Sequence, residues 1–315
     1  MTRVTHLYGL ALTSDIPLHQ DRPVGQTKAD SIEIRVGSTI AASTDRPQGH
    51  ILLDLDIDGQ YFTAVRSDEG FLLRFYDTCD VVIDSTLGRA LIHPYPDGDP
   101  TILSVLVGGP LLAFMLSMRG EAVLHASAVQ VGSSAIAFVG SSGMGKSTMA
   151  ALLSADGARL ITDDILRLDL AHRPPTCSLG ATELRLRKAA GDLADRFAER
   201  PRRRVTADER DALAIPVATT PDLPLAAIIV PQPDRDLDPT RATVERIDPM
   251  AAFLLLTRFP RLLGWQDAEV LQRQFQQLGD VVEAVPVYTA HLPWGPPFSD
   301  QVSGLVLRAI GLGNA

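Results

Sequence analysis

The residues best placed to do chemistry lie between positions 120 and 170. Gly140, Ser141, Ser142, Gly143, Met144, Gly145, Lys146 and Ser147 fit the pattern G-x-x-x-x-G-K-[ST]. Glycines there let the backbone wrap so closely that successive N–H groups point at phosphate oxygens. The helix expected to begin near Lys146 adds the positive end of its dipole. Lys146 would reach the β- and γ-phosphates, and the Ser147 hydroxyl would ligate Mg²⁺. Thr148, next in the chain, joins this phosphate-binding set.

Two further groups flank the loop. Asp163 and Asp164 directly follow the apolar stretch 159–162. In an α/β sheet, ligands collect at the carboxyl ends of strands. One of two carboxylates placed there can hold Mg²⁺, while the other takes the proton of an attacking hydroxyl. An aspartate pair that merely caps a turn is the plainer reading. His125 lies in the apolar stretch 122–131, where alternation puts it on one face with Val123, Ser127 and Val129. A lone strand histidine is usually a packing residue. The other histidines have no metal-ligand spacing.

These elements must be positioned by a strand at 135–139, a helix at 146–154 and a further strand at 159–162. That is the unit of an α/β nucleotide-binding core. Upstream, short apolar runs at 6–12, 31–36, 51–57, 61–66, 71–76 and 80–83 predict a small antiparallel sheet. Asp58-Gly59 and Asp68-Glu69-Gly70 mark turns within it. The turn cluster from Pro94 to Pro100 divides a strand-rich domain, 1–98, from a P-loop domain, 99–315. The stretch 102–118 predicts a buried helix interrupted by Gly108-Gly109-Pro110. Further on, 183–197, 249–256 and 267–278 predict helices. Stretches 225–230, closed by Pro231, and 285–288 predict strands.

Composition narrows the function classes. The 315 residues are 45% hydrophobic and 21% charged, with net charge -9. That acidity argues against a nucleic-acid partner, which would need a basic face. The dense basic run Arg200-Pro-Arg-Arg-Arg204 reads as a solvated loop or as a patch for an acidic peptide, with Arg202, Arg203 and Arg204 drawing in a substrate. No unbroken apolar run reaches the roughly 20 residues of a membrane span. The start of the chain does not read as a signal peptide, and Cys79 and Cys177 form no disulfide framework. The expectation is a cytoplasmic protein with no membrane partner.

The histidine strand Leu124-His125-Ala126, the loop Gly140–Ser147 and Thr162-Asp163-Asp164 together resemble the catalytic domain of the HPr kinase/phosphorylase family. His125 precedes Lys146 by 21 positions and Asp163 follows it by 17, spacings similar to that family's. The resemblance implies a P-loop core of the HPr kinase type, ATP with Mg²⁺, and phosphorylation of a serine hydroxyl. It implies Asp163 as general base, His125 set against that base, and Asp164 as a second carboxylate near the metal. Arg185, in Glu183-Leu-Arg185-Leu-Arg187, would be a phosphate clamp, although the family's Glu-x-Arg-Gly signature has no good match there. Hexamers are typical of the family, so a homo-oligomer is implied. The start of the chain (Tyr8 to Leu18) and Leu124-His-Ala-Ser-Ala128 resemble a divergent branch that includes kinases of lasso-peptide biosynthesis, which phosphorylate the C-terminal serine of a precursor peptide. The expected acceptor is thus a peptide or small protein. A kinase of a hydroxylated metabolite and a non-catalytic nucleotide-dependent regulator are the alternatives, and ATP against GTP stays open.

Overall fold

A computed structural model of the chain describes residues 4–20, 22, 30–57, 60–238 and 241–313. It is a mixed α/β protein with several sheets, in two compact units: Met1–Glu121 with Leu262–Gln274, and Ala122–Arg261 with Phe275–Ala315.

The first unit is built on an eight-stranded sheet. Its strands run in the spatial order Val4–Leu7, Leu10–Ser14, Asp30–Val36, Arg89–Pro94, Cys79–Asp84, Gly70–Phe75, Gln60–Ser67 and His50–Ile57. Alternation drives one face inward: Leu12, Ile32, Ile34, Leu73, Ile83 and Ile92 are buried. The sheet is mixed rather than antiparallel, because Asp30–Val36 runs parallel to both Leu10–Ser14 and Arg89–Pro94. Short turns between successive strands enforce antiparallel pairing, but these neighbours come from distant parts of the chain. The expected single strand at 6–12 is a hairpin. Tyr8 and Gly9 form its turn at φ 56° and 72°, the left-handed pair that a two-residue hairpin demands. The turn expected at Asp58-Gly59 lies outside the described residues.

This unit continues past the boundary expected at 98/99, because the helical run Pro100–Met118 packs into it, with Phe114 edge-on to Phe71 at 5.9 Å and stacked on Trp265 at 5.8 Å. Gly108-Gly109-Pro110 does not interrupt the run. Pro110 removes one N–H, and the chain widens to a π turn over Val107–Leu111, where the Leu112 N–H reaches the Val107 carbonyl. By length and composition alone this run could cross a membrane, yet just over half of it is buried inside the protein, as in a core helix.

The second unit has a nine-stranded sheet with helices on both faces. From one edge it runs Arg159–Thr162, Ala126–Val131, Ser134–Val139 and Leu223–Asp234. Leu223–Asp234 pairs parallel with both Ser134–Val139 and Val287–Pro293. Helices Lys146–Ala155 and Val302–Ala309 cover one face through Met149, Leu152, Leu153, Val302 and Val306. Pro249–Leu256 and residues 275–284 cover the other through Leu256, Val281 and Val282. Leu223–Asp234 does not stop at Pro231. Its pairing with Ser134–Val139 ends at Ile229, so Pro231 and Pro233 fall where that edge no longer needs a ladder donor.

The stretch expected as a helix at 183–197 is a strand, Glu183–Leu186, followed by a 3₁₀ helix, Lys188–Arg196. Glu183-Leu-Arg-Leu alternates with period two, and Leu184 and Leu186 are buried. With Asp211–Ala214 and Arg202–Val205 it makes a small antiparallel sheet.

Candidate functional site

The glycine loop joins the strand Ser134–Val139 to the helix Lys146–Ala155. Gly143 and Gly145 take φ of 90° and 88°, a left-handed conformation that costs glycine nothing. The loop is tied internally: the Ser141 N–H donates to the Met144 sulfur at 3.1 Å, and the Met144 N–H to the Ser141 carbonyl at 3.2 Å. Lys146 Nζ donates to the carbonyls of Gly140 at 2.8 Å and Ser141 at 3.1 Å. Burial pushes the Lys146 ammonium down to about 8, against the opposing pull of Asp164 and Asp163.

Asp163 is buried at the end of the strand Arg159–Thr162. Its Oδ1 accepts from Ser147 Oγ at 2.8 Å and from Ser127 Oγ at 2.5 Å, and its Oδ2 from the Arg185 backbone N–H at 2.9 Å. The structure therefore brings Ser147 to Asp163, not to Asp164, the carboxylate expected near the metal. Asp164 turns away because its backbone is left-handed, at φ 75°. It meets Arg261 at 2.6 Å and His125 Nε2 at 3.3 Å. His125 thus sits against Asp164 and not against Asp163, which corrects the expected pairing. Burial alone would raise the Asp164 carboxyl, but Arg261 and His125 hold it well below its ordinary value. Burial lowers His125 despite this partner.

His125 does not lie in a continuous strand. It occupies the break between Ala122–Leu124, which pairs with Leu166–Asp169, and Ala126–Val131, which pairs with the loop strand. Ser127, in register with Phe138, is fully buried.

Arg185 lends its backbone rather than its guanidinium to the site. Its side chain pairs with Asp208, which Arg210 also meets at 3.2 Å. The guanidinium that touches the loop belongs to Arg187, which lies against Gly143 and donates to Ser142 Oγ at 3.1 Å. The period-two pattern of this segment carried that signal, because it places Arg185 and Arg187 on one side. Arg261, 97 residues from Asp164, has no such signal. The basic run is largely spoken for: Arg203 pairs with Asp211 at 2.8 Å, Arg204 with Glu183 at 2.7 Å and Arg200 with Asp195 at 3.2 Å.

Among the described residues, no three His, Cys, Asp or Glu side chains group closely enough to hold a metal by themselves. The Ser147 hydroxyl and the adjoining Asp163 carboxylate are hard oxygen donors of the kind Mg²⁺ takes, and Mg²⁺ fills the rest of its shell with phosphate oxygens and water.

No family model matches the chain, and no curated protein sequence does. Among solved structures, the Hpr(Ser) kinase/phosphatase from Coxiella burnetii is similar over 60% of this chain and 87% of that one, at 14% identity and a TM-score of 0.30. At that score the likeness decides neither fold nor function.

Proposed function

We propose that this chain is an ATP-dependent, Mg²⁺-requiring kinase that phosphorylates a serine hydroxyl of a peptide or small protein. The observation that carries the reading is the 2.8 Å hydrogen bond from Ser147 to Asp163, which joins the glycine loop to a carboxylate at a neighbouring strand end. The loop amides and Lys146 bind the triphosphate, and Arg187 lies where it can meet a phosphate oxygen beside Ser142. Ser147 would hold a Mg²⁺ ion, which would supply charge neutralisation to the phosphates.

Asp163 is the carboxylate placed beside the loop to take the acceptor's proton. Its partners are two hydroxyls that can rotate away and one amide, whereas Asp164 is held well below its ordinary value between Arg261 and His125. The acceptor oxygen bonds to the γ-phosphorus as its proton passes to Asp163. The bond from phosphorus to the β–γ bridging oxygen breaks, and ADP leaves. Asp164, paired with Arg261 and His125, lies next in the chain to that carboxylate.

The resemblance of the three motifs to HPr kinases supports serine as the acceptor, and the softer likeness to the lasso-peptide branch supports a precursor peptide ending in serine. The test is mass spectrometry of such peptides after incubation with the protein, ATP and Mg²⁺, with Lys146→Ala as control. One phosphate gained on serine, and lost with the control, is the expected result. Phosphate release without transfer would sink the peptide-kinase reading in favour of a nucleotide-dependent regulator. Transfer to a small hydroxylated compound alone would make the protein a metabolite kinase.

A further inference from the structure

We propose that Trp294 is the platform on which the base of the bound nucleotide rests. The inference builds on the kinase reading, and it starts from the strand order. Arg159–Thr162 and Ser134–Val139 are each antiparallel to the strand between them, so they run parallel and end on the same edge of the sheet. Asp163 therefore lies to one side of the loop, two strands away, and Ser147 faces it. The γ-phosphate belongs at that side, where the proton acceptor is. A triphosphate laid along the loop with its γ end there must send its nucleoside the other way, over the ends of Leu223–Asp234 and Val287–Pro293.

That side is built up beyond the loop. Pairing with the loop strand stops at Ile229, but Leu223–Asp234 and Val287–Pro293 stay paired from Ile228 with Val287 to Asp234 with Pro293. Trp294 follows at once, its N–H donating to the Asp234 carbonyl at 2.9 Å. Its side chain lies on the sheet face that carries the helix Lys146–Ala155. The six-membered ring is pressed so close to the loop that a Cβ on Gly145 would stand 2.4 Å from it. Phe298 holds the indole edge-on, with centroids 5.4 Å apart at 90°. Trp294 itself is half-buried, packed between Gly145 and Phe298.

A fixed aromatic ring beside a phosphate-binding loop is the recognition chemistry of a nucleobase. Every base offers a π face, so such stacking adds affinity without a hydrogen-bonded reading of the base. The segment Trp294-Gly-Pro-Pro-Phe298 has no other part in the site as read from the motifs.

The test compares two ligands, ATP and inorganic tripolyphosphate, by calorimetric titration of the full chain and its variants. Trp294→Ala is expected to weaken ATP about tenfold and to leave tripolyphosphate within about twofold, since only ATP carries a base. Trp294→Phe should restore most of the ATP affinity. An equal loss for both ligands would overturn the proposal, because the ring would then only brace the loop. Unchanged ATP affinity in Trp294→Ala would overturn it as well. Should the unaltered protein bind neither ligand, the kinase reading fails and takes this inference with it.

Discussion

Asp163 and Asp164 are neighbours in sequence and strangers in environment. Asp163 is surrounded by neutral donors, two hydroxyls and an amide, and touches the glycine loop through one of them. Asp164 stands between a guanidinium and an imidazole, facing away from Ser147. A single left-handed residue separates these worlds, since φ 75° at Asp164 swings the second carboxylate out of the line of the first. Two identical side chains thereby acquire different partners, one set neutral and the other containing a guanidinium.

The sharpest way to break this contrast is to neutralise each carboxylate in turn. Asp163→Asn should lower phosphoryl transfer by about a thousandfold while nucleotide affinity stays within about threefold. Single-turnover assays beside titration calorimetry separate the two, and a variant that still transfers phosphate near the normal rate would end the assignment. Asp164→Asn strands the largely buried Arg261 without its anion, and should cost about 3 kcal/mol of stability in urea unfolding.

The same substitution should also flatten the acid limb. A carboxyl held below its unfolded value of 3.8 stabilises the fold above that pH, and the contribution is lost as pH falls further. The variant should lack this loss. Acid unfolding curves of identical slope in the two proteins would show that Asp164 is not the group responsible.

A smaller effect concerns the loop itself. Lys146 titrates near 8 in the free protein, and an anion favours its charged form. Tripolyphosphate affinity should therefore fall by up to about tenfold per pH unit above that value, and a flat profile to pH 10 would contradict it.

The parts of the site that were legible in the sequence are the contiguous ones. An apolar run, three glycines, a lysine and a second apolar run ending in Asp163 are all local signals, and the structure builds a strand, loop, helix and strand from them. Arg261 was not legible, because it reaches Asp164 across 97 residues through tertiary packing. The pairing of His125 was missed for a different reason: no glycine or asparagine advertises the left-handed turn at Asp164. At 183–197 the alternation of Leu184 and Leu186 competed with a pair of alanines that favour helix, and burial of both leucines decided for a strand. In the first unit the strands were legible from their alternation, but the parallel setting of Asp30–Val36 was not, since partner choice depends on distant segments.

The hydrogen bonds from Lys146 to the carbonyls of Gly140 and Ser141 have a kinetic consequence. The loop is latched by the same ammonium that a triphosphate would claim on the proposed reading. An incoming phosphate would then compete for a donor already held in place, and a weak competitor such as a lone inorganic anion would exchange out quickly. A longer polyanion that also engaged the loop amides would keep the latch open. Residence time, rather than initial capture, would then be where the loop distinguishes a triphosphate from smaller anions.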